Sequence, residues 1–226
     1  MYLFKMTGGL MQLVAYGAQD VYLTAQPQIT FFKVVYRRHT NFSMESIEQT
    51  FNGNPALGNK VTAVISRNGD LVNGMWLEYD FTTAGATAVY GLGHACVKTA
   101  ELSIGGQQID KHYGEWLNIW TELTVPAGKR DAFDTMVGNH ASAVTAAGPG
   151  TKLDVPLQFW FCRNPGLALP LIALQYHEVK IDIEFRTRNE VTIADGTTTD
   201  LNTVKLWVDY VYLDTDERRR FAQVSH

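Results

Sequence analysis

The sequence predicts an all-β fold of two packed antiparallel sheets, a β-sandwich or a jelly roll, with a short helical excursion in the middle. Three observations predict it. Apolar residues recur at every second position through several short segments, which is typical of strands with one buried face. Turn-forming Asn-Gly and Gly-Gly pairs fall between these segments. One segment alone changes to a clearly helical period.

The clearest strand runs from His177 to Arg186, where four apolar residues alternate with charged ones. Similar alternation predicts further strands at Val61–Ser66, Met75–Phe81, Leu157–Cys162 and Val204–Tyr212. The last of these is expected to be covered on both sides, because Trp207 and Val211 add apolar groups to its second face.

Turn signals separate the strands. Asn52-Gly53, Asn68-Gly69 and Asn73-Gly74 each predict a turn, because Asn and Gly tolerate positive φ, and Gly105-Gly106 predicts a tight hairpin. Runs rich in Ala, Gly and Thr are interpreted as long loops at residues 82–94, 141–150 and 194–203.

The helical segment lies in the middle of the chain. Tyr113, Trp116, Leu117, Trp120 and Leu123 recur at helical spacing, which predicts an amphipathic helix that carries them on its apolar face. Pro126 and Gly128 are expected to end it. A second short helix is expected over residues 130–137.

Composition narrows the function classes. The chain has 226 residues and a formal net charge of −4, which disfavours direct binding of nucleic acid. No apolar run is long enough for a transmembrane segment, and the first residues lack the pattern of a signal peptide. Cys96 and Cys162 lie in apolar runs, which predicts two buried, reduced thiols rather than a disulfide.

No catalytic motif is found. The six histidines have no metal-binding spacing, and the nucleophile-elbow, P-loop and dinucleotide-binding glycine motifs are missing from the sequence. We therefore predict no enzyme activity, no catalytic residue, no metal and no cofactor. His112, just before the helix, is expected to make a local hydrogen bond or cap.

Two charged features allow a functional interpretation. Arg37 and Arg38 follow an apolar run, and the segment Asp214–Arg220 follows the last strand. The second segment has three acids and three arginines, so a solvated, salt-bridged turn is one interpretation. The other is an interface segment, because arginine is well suited to charged subunit contacts.

Several longer blocks carry a family resemblance. They lie at Gly8–Phe42, Ser46–Gly53, Ile65–Leu71, Ile104–Trp116, Pro165–Ile181 and Trp207–His226. These blocks resemble the major capsid proteins of nucleocytoplasmic large DNA viruses, specifically the N-terminal jelly roll of their double jelly-roll chain. The resemblance is strongest in PGLALPLIALQYHEVKI and WVDYVYLDTDERRRFAQVSH.

The resemblance implies a viral jelly roll of two four-stranded antiparallel sheets, with strands lettered B to I. It places the helix near residues 113–124 between strands E and F. It also implies a structural capsid protein of a large icosahedral double-stranded DNA virus, made in the host cytoplasm and located in the virion capsid. Its partners would be itself, with a homotrimer favoured and a hexamer possible, and other capsid proteins.

The resemblance also suggests how the chain is organised. Residues 1–42 are expected to form an N-terminal interface segment, 43–213 the jelly roll, and 214–226 a linker-like tail. The candidate assembly interface consists of large apolar side chains of the first segment and of arginines from both ends. It comprises Leu10, Leu13, Val14, Tyr16, Val21, Tyr22, Phe31, Phe32, Arg37, Arg38, Arg218, Arg219 and Arg220.

The chain stops where the family continues into a second jelly roll. It is therefore expected to be a fragment, the product of a split gene or a one-roll paralogue. The alternatives to a major capsid protein are a minor or vertex (penton-like) single jelly-roll component and a carbohydrate-binding module. The second alternative would need aromatic side chains on a concave face or loop, and Trp160, Tyr90 and Trp76 could be interpreted that way.

Overall fold

The structure is a computed structural model that describes residues 40–84, 89–139, 151–192 and 198–223. From Phe42 onward these residues belong to one compact unit. The first sheet contains, in spatial order, β1 (Phe42–Gln49), β10 (Thr198–Leu213), β4 (Leu71–Ala84) and β7 (Thr151–Pro156), with β8 (Leu169–Pro170) paired to β4. The second contains β2 (Phe51–Asn52), β3 (Lys60–Val64), β9 (Val179–Phe185), β5 (Val97–Ile104) and β6 (Gln107–Tyr113).

The described helices lie between the strands and after the last one. They are α1 (Leu92–Cys96), α2 (Gly114–Thr124), α3 (Ala127–Val137), α4 (Trp160–Arg163), α5 (Arg188–Val191) and α6 (Thr215–Gln223). A 3-10 turn at Pro165–Leu167 follows α4.

The prediction of two antiparallel sheets is confirmed, because every strand pairing in the described residues is antiparallel. Lettered B to I in chain order, the longer strands are arranged B-I-D-G and C-H-E-F, as in a jelly roll. Each described sheet has five strands rather than four, since β2 and β8 add two residues each.

The core lies between the inward faces of the two sheets. In β9 the predicted alternation is observed as alternating burial. The buried residues are Val179, Ile181, Ile183 and Phe185, and the charged residues between them are not buried. β10 contributes Val204, Leu206, Val208 and Tyr210 from the other sheet. Both Trp207 and Val211 are at least partly buried on the second face of β10, as predicted.

One predicted strand is wrong. Residues 157–162 do not continue β7; after Leu157 the chain leaves the sheet and forms the single turn α4. The burial of Leu157, Phe159 and Phe161 still alternates with that of their neighbours. Period-2 burial therefore misled the prediction, because an extended segment followed by one helical turn also buries every second residue here.

Two of the predicted loops are partly regular structure. β4 continues to Ala84 and β10 begins at Thr198, and these two residues pair with each other. α1 also lies within the first predicted loop. Threonine is a strong strand former, so the Thr-rich ends of these runs extend the strands although Ala and Gly surround them. The third predicted loop, residues 141–150, lies outside the described residues.

The Gly105-Gly106 hairpin is confirmed, with positive φ at both glycines. A bend follows Asn52 and another includes Gly69, as expected for these turns. Asn73-Gly74, however, lies inside β4 at a bulge, where the register with β10 shifts. A side chain at Gly74 would place a Cβ 2.7 Å from the Asp209 carboxylate, so close strand approach explains this glycine better than a turn.

The helical excursion lies elsewhere in the topology than the resemblance implied. Strands E and F, here β5 and β6, are joined by the tight hairpin, and α2 and α3 follow β6. The excursion therefore connects F to G. The two predicted helices are confirmed, but Gly128 lies within α3 and does not end α2.

Replacing Tyr79 by phenylalanine should stabilise the fold. Tyr79 is fully buried, its hydroxyl has no hydrogen-bond partner among the described residues, and burial raises its pKa well above the usual value. Tyr79→Phe removes an unsatisfied polar group, so we expect the free energy of unfolding in urea to rise by about 1 kcal/mol. Tyr210→Phe is the control, because the Tyr210 hydroxyl donates to the Ser66 carbonyl at 2.7 Å. It should lower the same free energy by about 1 kcal/mol, and shifts of the same sign in both variants would contradict the prediction.

Candidate assembly surface

The predicted interface residues of the first segment are not tested. Leu10, Leu13, Val14, Tyr16, Val21, Tyr22, Phe31, Phe32, Arg37 and Arg38 all lie outside the described residues. The remaining candidates, Arg218, Arg219 and Arg220, lie on α6.

α6 is held to the jelly roll through Asp70. This carboxylate is almost fully buried, accepts a hydrogen bond from the Leu213 backbone N–H at 2.8 Å and pairs with the Arg218 guanidinium at 3.0 Å. Arg218 therefore anchors the helix within its own chain. These two contacts tie both the end of β10 and the start of α6 to the same buried carboxylate.

The other two arginines are directed outward. Arg220 pairs with Glu217 at 3.2 Å on the same helix and is mostly exposed. Arg219 is exposed and has no ion-pair partner among the described residues. The segment Asp214–Arg220 is thus largely the start of a helix and not a turn, and the three arginines do not form one patch.

An exposed apolar surface on α2 was not predicted. The sequence placed Tyr113, Trp116, Leu117, Trp120 and Leu123 on one apolar face. Of these α2 buries Leu117, as expected, but its other buried residues are Gly114 and Thr121. A Cβ at Gly114 would overlap the carbonyl oxygens of His94 and Val97, so the helix docks there through its glycine. As a result, four large side chains point outward; we call Tyr113, Trp116, Ile119 and Leu123 the outer α2 surface.

Basic groups border one side of the outer α2 surface. The Arg163 guanidinium lies 4.3 Å from the centre of the Trp120 ring, and the Lys111 ammonium lies 5.5 Å from that of Tyr113. Trp116 contacts Trp120 and, with Arg163 and Lys111, lines an open cavity of about 370 Å³.

Acidic groups border the other side. Glu115 pairs with Arg186, and Glu122 pairs with Arg130 of α3. At 100° per residue the two glutamates lie on the same flank of the helix, on the side of the outer surface opposite Trp120. Both carboxylates keep more than half of their side-chain surface exposed.

The outward face of the second sheet is charged, unlike the outer α2 surface. Lys60 pairs with both Glu101 and Asp182, Lys111 pairs with Glu101, and Lys98 pairs with Glu184. The pairs lie on neighbouring strands and satisfy charges of both signs. This face therefore resembles an ordinary solvated sheet surface rather than an apolar contact.

Two buried histidines pack around α2. Burial lowers the pKa of His94 to about 4, against the opposing effects of the nearby Asn118 side chain and Asp134 carboxylate. Burial likewise lowers the pKa of His112 to about 4; Asp110 opposes this, and Arg163 adds to it. Both ring nitrogens of His94 and Nε2 of His112 have no hydrogen-bond partner within the described ranges. α2 has no side-chain cap, so the prediction that His112 caps it is wrong. The His112 ring instead packs on Phe159, with 4.3 Å between the two ring centres.

The two cysteines are free, as predicted. Cys96 is buried and Cys162 is half-buried, and burial raises the thiol pKa of Cys162 to about 12, which makes it a poor nucleophile. In the part of the chain that the structure describes, no group of three or more His, Cys, Asp or Glu side chains could hold a metal ion. No helix among the described residues has the length and hydropathy to cross a membrane.

Comparison with known proteins gives consistent matches. Residues 30–214 match the family model of the major capsid protein N-terminus. The major capsid protein of Pyramimonas orientalis virus is 62% identical, over 98% of this chain and 57% of its own length. That of Paramecium bursaria Chlorella virus 1 is 47% identical, over 98% of this chain and 51% of its own length.

Solved structures agree with the fold. A chain in a quasi-atomic model of the PBCV-1 virus capsid has a TM-score of 0.76 and 42% identity, covering 87% of this chain and 48% of that one. The Faustovirus major capsid protein has a TM-score of 0.71 at 10% identity, covering 91% of this chain and 60% of that one, and supports the fold alone.

The chain spans about half the length of the curated relatives it matches. The family match covers most of the described jelly roll, and the similarity extends over nearly the whole chain. This chain belongs to the major capsid protein family of nucleocytoplasmic large DNA viruses and corresponds to the N-terminal part of its relatives.

Proposed function

We propose that this chain is a structural protein of the capsid of a large icosahedral double-stranded DNA virus. The observation that carries the proposal is the 62% identity to a major capsid protein over 98% of the chain. It acts by assembly and not by catalysis: the sheets provide a rigid core, and the surfaces of the roll provide the contacts. It is made in the host cytoplasm and is incorporated into the virion.

Its partners are copies of itself and other capsid proteins, and it does not bind nucleic acid directly. A homotrimer is the favoured assembly, and a hexamer of single rolls is the second possibility. The acidic net charge and the paired charges on the second sheet support the proposal that the chain does not bind DNA. Residues 1–42 serve as an interface segment, 43–213 as the roll and 214–226 as a tail.

The proposal is tested by counting this chain in purified virions. Quantitative mass spectrometry of particles should find it among the most abundant proteins, as expected for the main component of a shell. A low copy number would favour the minor or vertex component instead. Absence from purified particles would refute a capsid function.

The proposed interface segment has a separate test. Deleting residues 8–28 should abolish assembly but leave a folded core, because the deletion removes Leu10, Leu13, Val14, Tyr16, Val21 and Tyr22 but none of the strands in the described residues. Light scattering after size-exclusion chromatography reports the oligomer, and circular dichroism reports the fold. Capsomers formed by the deleted chain would show that this segment is dispensable.

A further inference from the structure

The outer α2 surface is large enough to form the centre of a protein contact. Tyr113, Trp116, Ile119 and Leu123 are exposed by 48, 36, 50 and 77%, respectively. At about 200 Å² for each such side chain, they leave on the order of 400 Å² of apolar surface. Patches of this size on a monomer are often functional. A standard interface buries about 800 Å² on each partner, so a polar rim of similar area would complete it.

The surface is also rigid, so little order has to be gained on binding. Gly114 sets α2 directly against the backbone of α1 and of the β5 start, and Leu117 and Thr121 bury the inner face of the helix. The Glu122–Arg130 ion pair links α2 to α3. A preformed apolar surface binds more tightly than a mobile one of equal area, because its ordering cost is already met.

The charges beside this surface indicate what covers it. Carboxylates lie along one flank, at Glu115 and Glu122, where Arg186 and Arg130 pair with them but leave more than half of each glutamate exposed. The cations Lys111, which pairs with Glu101, and Arg163 lie toward the other flank. Arg163 is exposed and has no carboxylate partner in the described ranges. A rotation about an axis parallel to α2 sets the exposed glutamates of one copy beside Arg163 of the next. An antiparallel two-fold would instead set like charges together, which is unfavourable.

We propose that the outer α2 surface is a contact between copies of this chain, related by a rotation axis that runs along α2. The proposal rests on the proposed capsid function, in which the most frequent neighbour of each chain is another copy. The apolar side chains of neighbouring α2 helices pack around the axis. Arg163 of one copy faces Glu122 or Glu115 of the next.

The apolar part is tested by sedimentation of the full 226-residue chain over a range of concentrations. Replacing Ile119 and Leu123 together by glutamine keeps good helix formers and should weaken self-association at least about tenfold. The matched control replaces Leu167 and Tyr176 by glutamine. These two residues are 53 and 93% exposed, respectively, and lie outside α2. The control should associate like the wild type.

The direction of the axis is tested by charge reversal. Arg163→Glu and Glu122→Arg should each weaken self-association, because each sets like charges together across the contact. The double variant should associate more strongly than either single variant, since the opposite pair is then re-formed. The Glu122→Arg single variant is the control for the loss of the Glu122–Arg130 pair within the chain. Urea unfolding of each variant checks that the roll is intact. A double variant as weak as the single variants would overturn the parallel arrangement.

Failure of this inference differs from failure of the proposed function. A wild-type chain that stays monomeric, or a glutamine double variant that associates like the wild type, would overturn the α2 contact. Neither result would change the copy number found in virions, which tests the capsid function independently.

Discussion

Acidification from pH 8 to pH 4 is expected to lower the free energy of unfolding by about 6 kcal/mol through two histidines. His94 and His112 have folded pKa values of about 4, below the ordinary value of 6.5. The unfolded chain therefore binds more protons than the folded one in this range, and stability is lost as the pH falls below 6.5. Each histidine contributes about 3 kcal/mol at pH 4. A sum of this size is comparable with the total stability of many domains.

The measurement is urea unfolding at several pH values for the wild type and for His94→Leu with His112→Leu. The double variant should lose much of the pH dependence between pH 6.5 and 4, whatever its absolute stability. His177→Asn is the control, because His177 is exposed on the surface, and its curve should follow the wild type. A double variant with an unchanged slope would show that acid acts through other groups.

The Gly114→Ala variant is expected to lose about 3 kcal/mol of unfolding free energy, because its Cβ would meet fixed backbone. The carbonyl oxygens of His94 and Val97 occupy that position, and neither can move without shifting α1 or the start of β5. We also expect α2 to be displaced, which would disturb the outer α2 surface. Urea unfolding followed by circular dichroism measures the stability.

Gly128→Ala is the matched control for this substitution. Gly128 also lies in a helix, but a Cβ there would meet nothing within 4 Å. Alanine should therefore be neutral or stabilise the chain by up to about 1 kcal/mol, through its higher helix propensity. Equal losses in the two variants would mean that close packing at Gly114 is not the cause.

Most strands could be predicted because strand burial has a local signature. The alternation in β9 and β10 is visible without knowing their partners, and the Gly105-Gly106 pair predicts the hairpin between β5 and β6. The error at residues 157–162 has the same origin. Alternating burial there reflects the surrounding tertiary contacts, since the segment leaves the sheet after Leu157, whose backbone N–H still bonds to Met75 of β4.

The candidate surface was harder to predict. The apolar residues of α2 were found, but Leu117, the one that is fully buried, lies at one edge of the arc that they form, so the periodicity does not define which side faces the core. The glycine at position 114 is the signal that marks the buried side, because only glycine permits such close approach to another backbone. The partner of Arg218 could not be read from the sequence either, since Asp70 lies far away along the chain.

By itself, the sequence determined that the chain forms antiparallel strands, where its hairpin and two central helices lie, and to which family it belongs. These properties depend on local periodicity, turn chemistry and long matching blocks. Only the tertiary structure decided that α2 docks through Gly114 and leaves its tryptophan-bearing face outside, that Arg218 is tied to Asp70, and that His94 and His112 are buried without full hydrogen bonding. Each of these depends on which residues from distant parts of the chain compete for the same space, and local sequence does not contain that information.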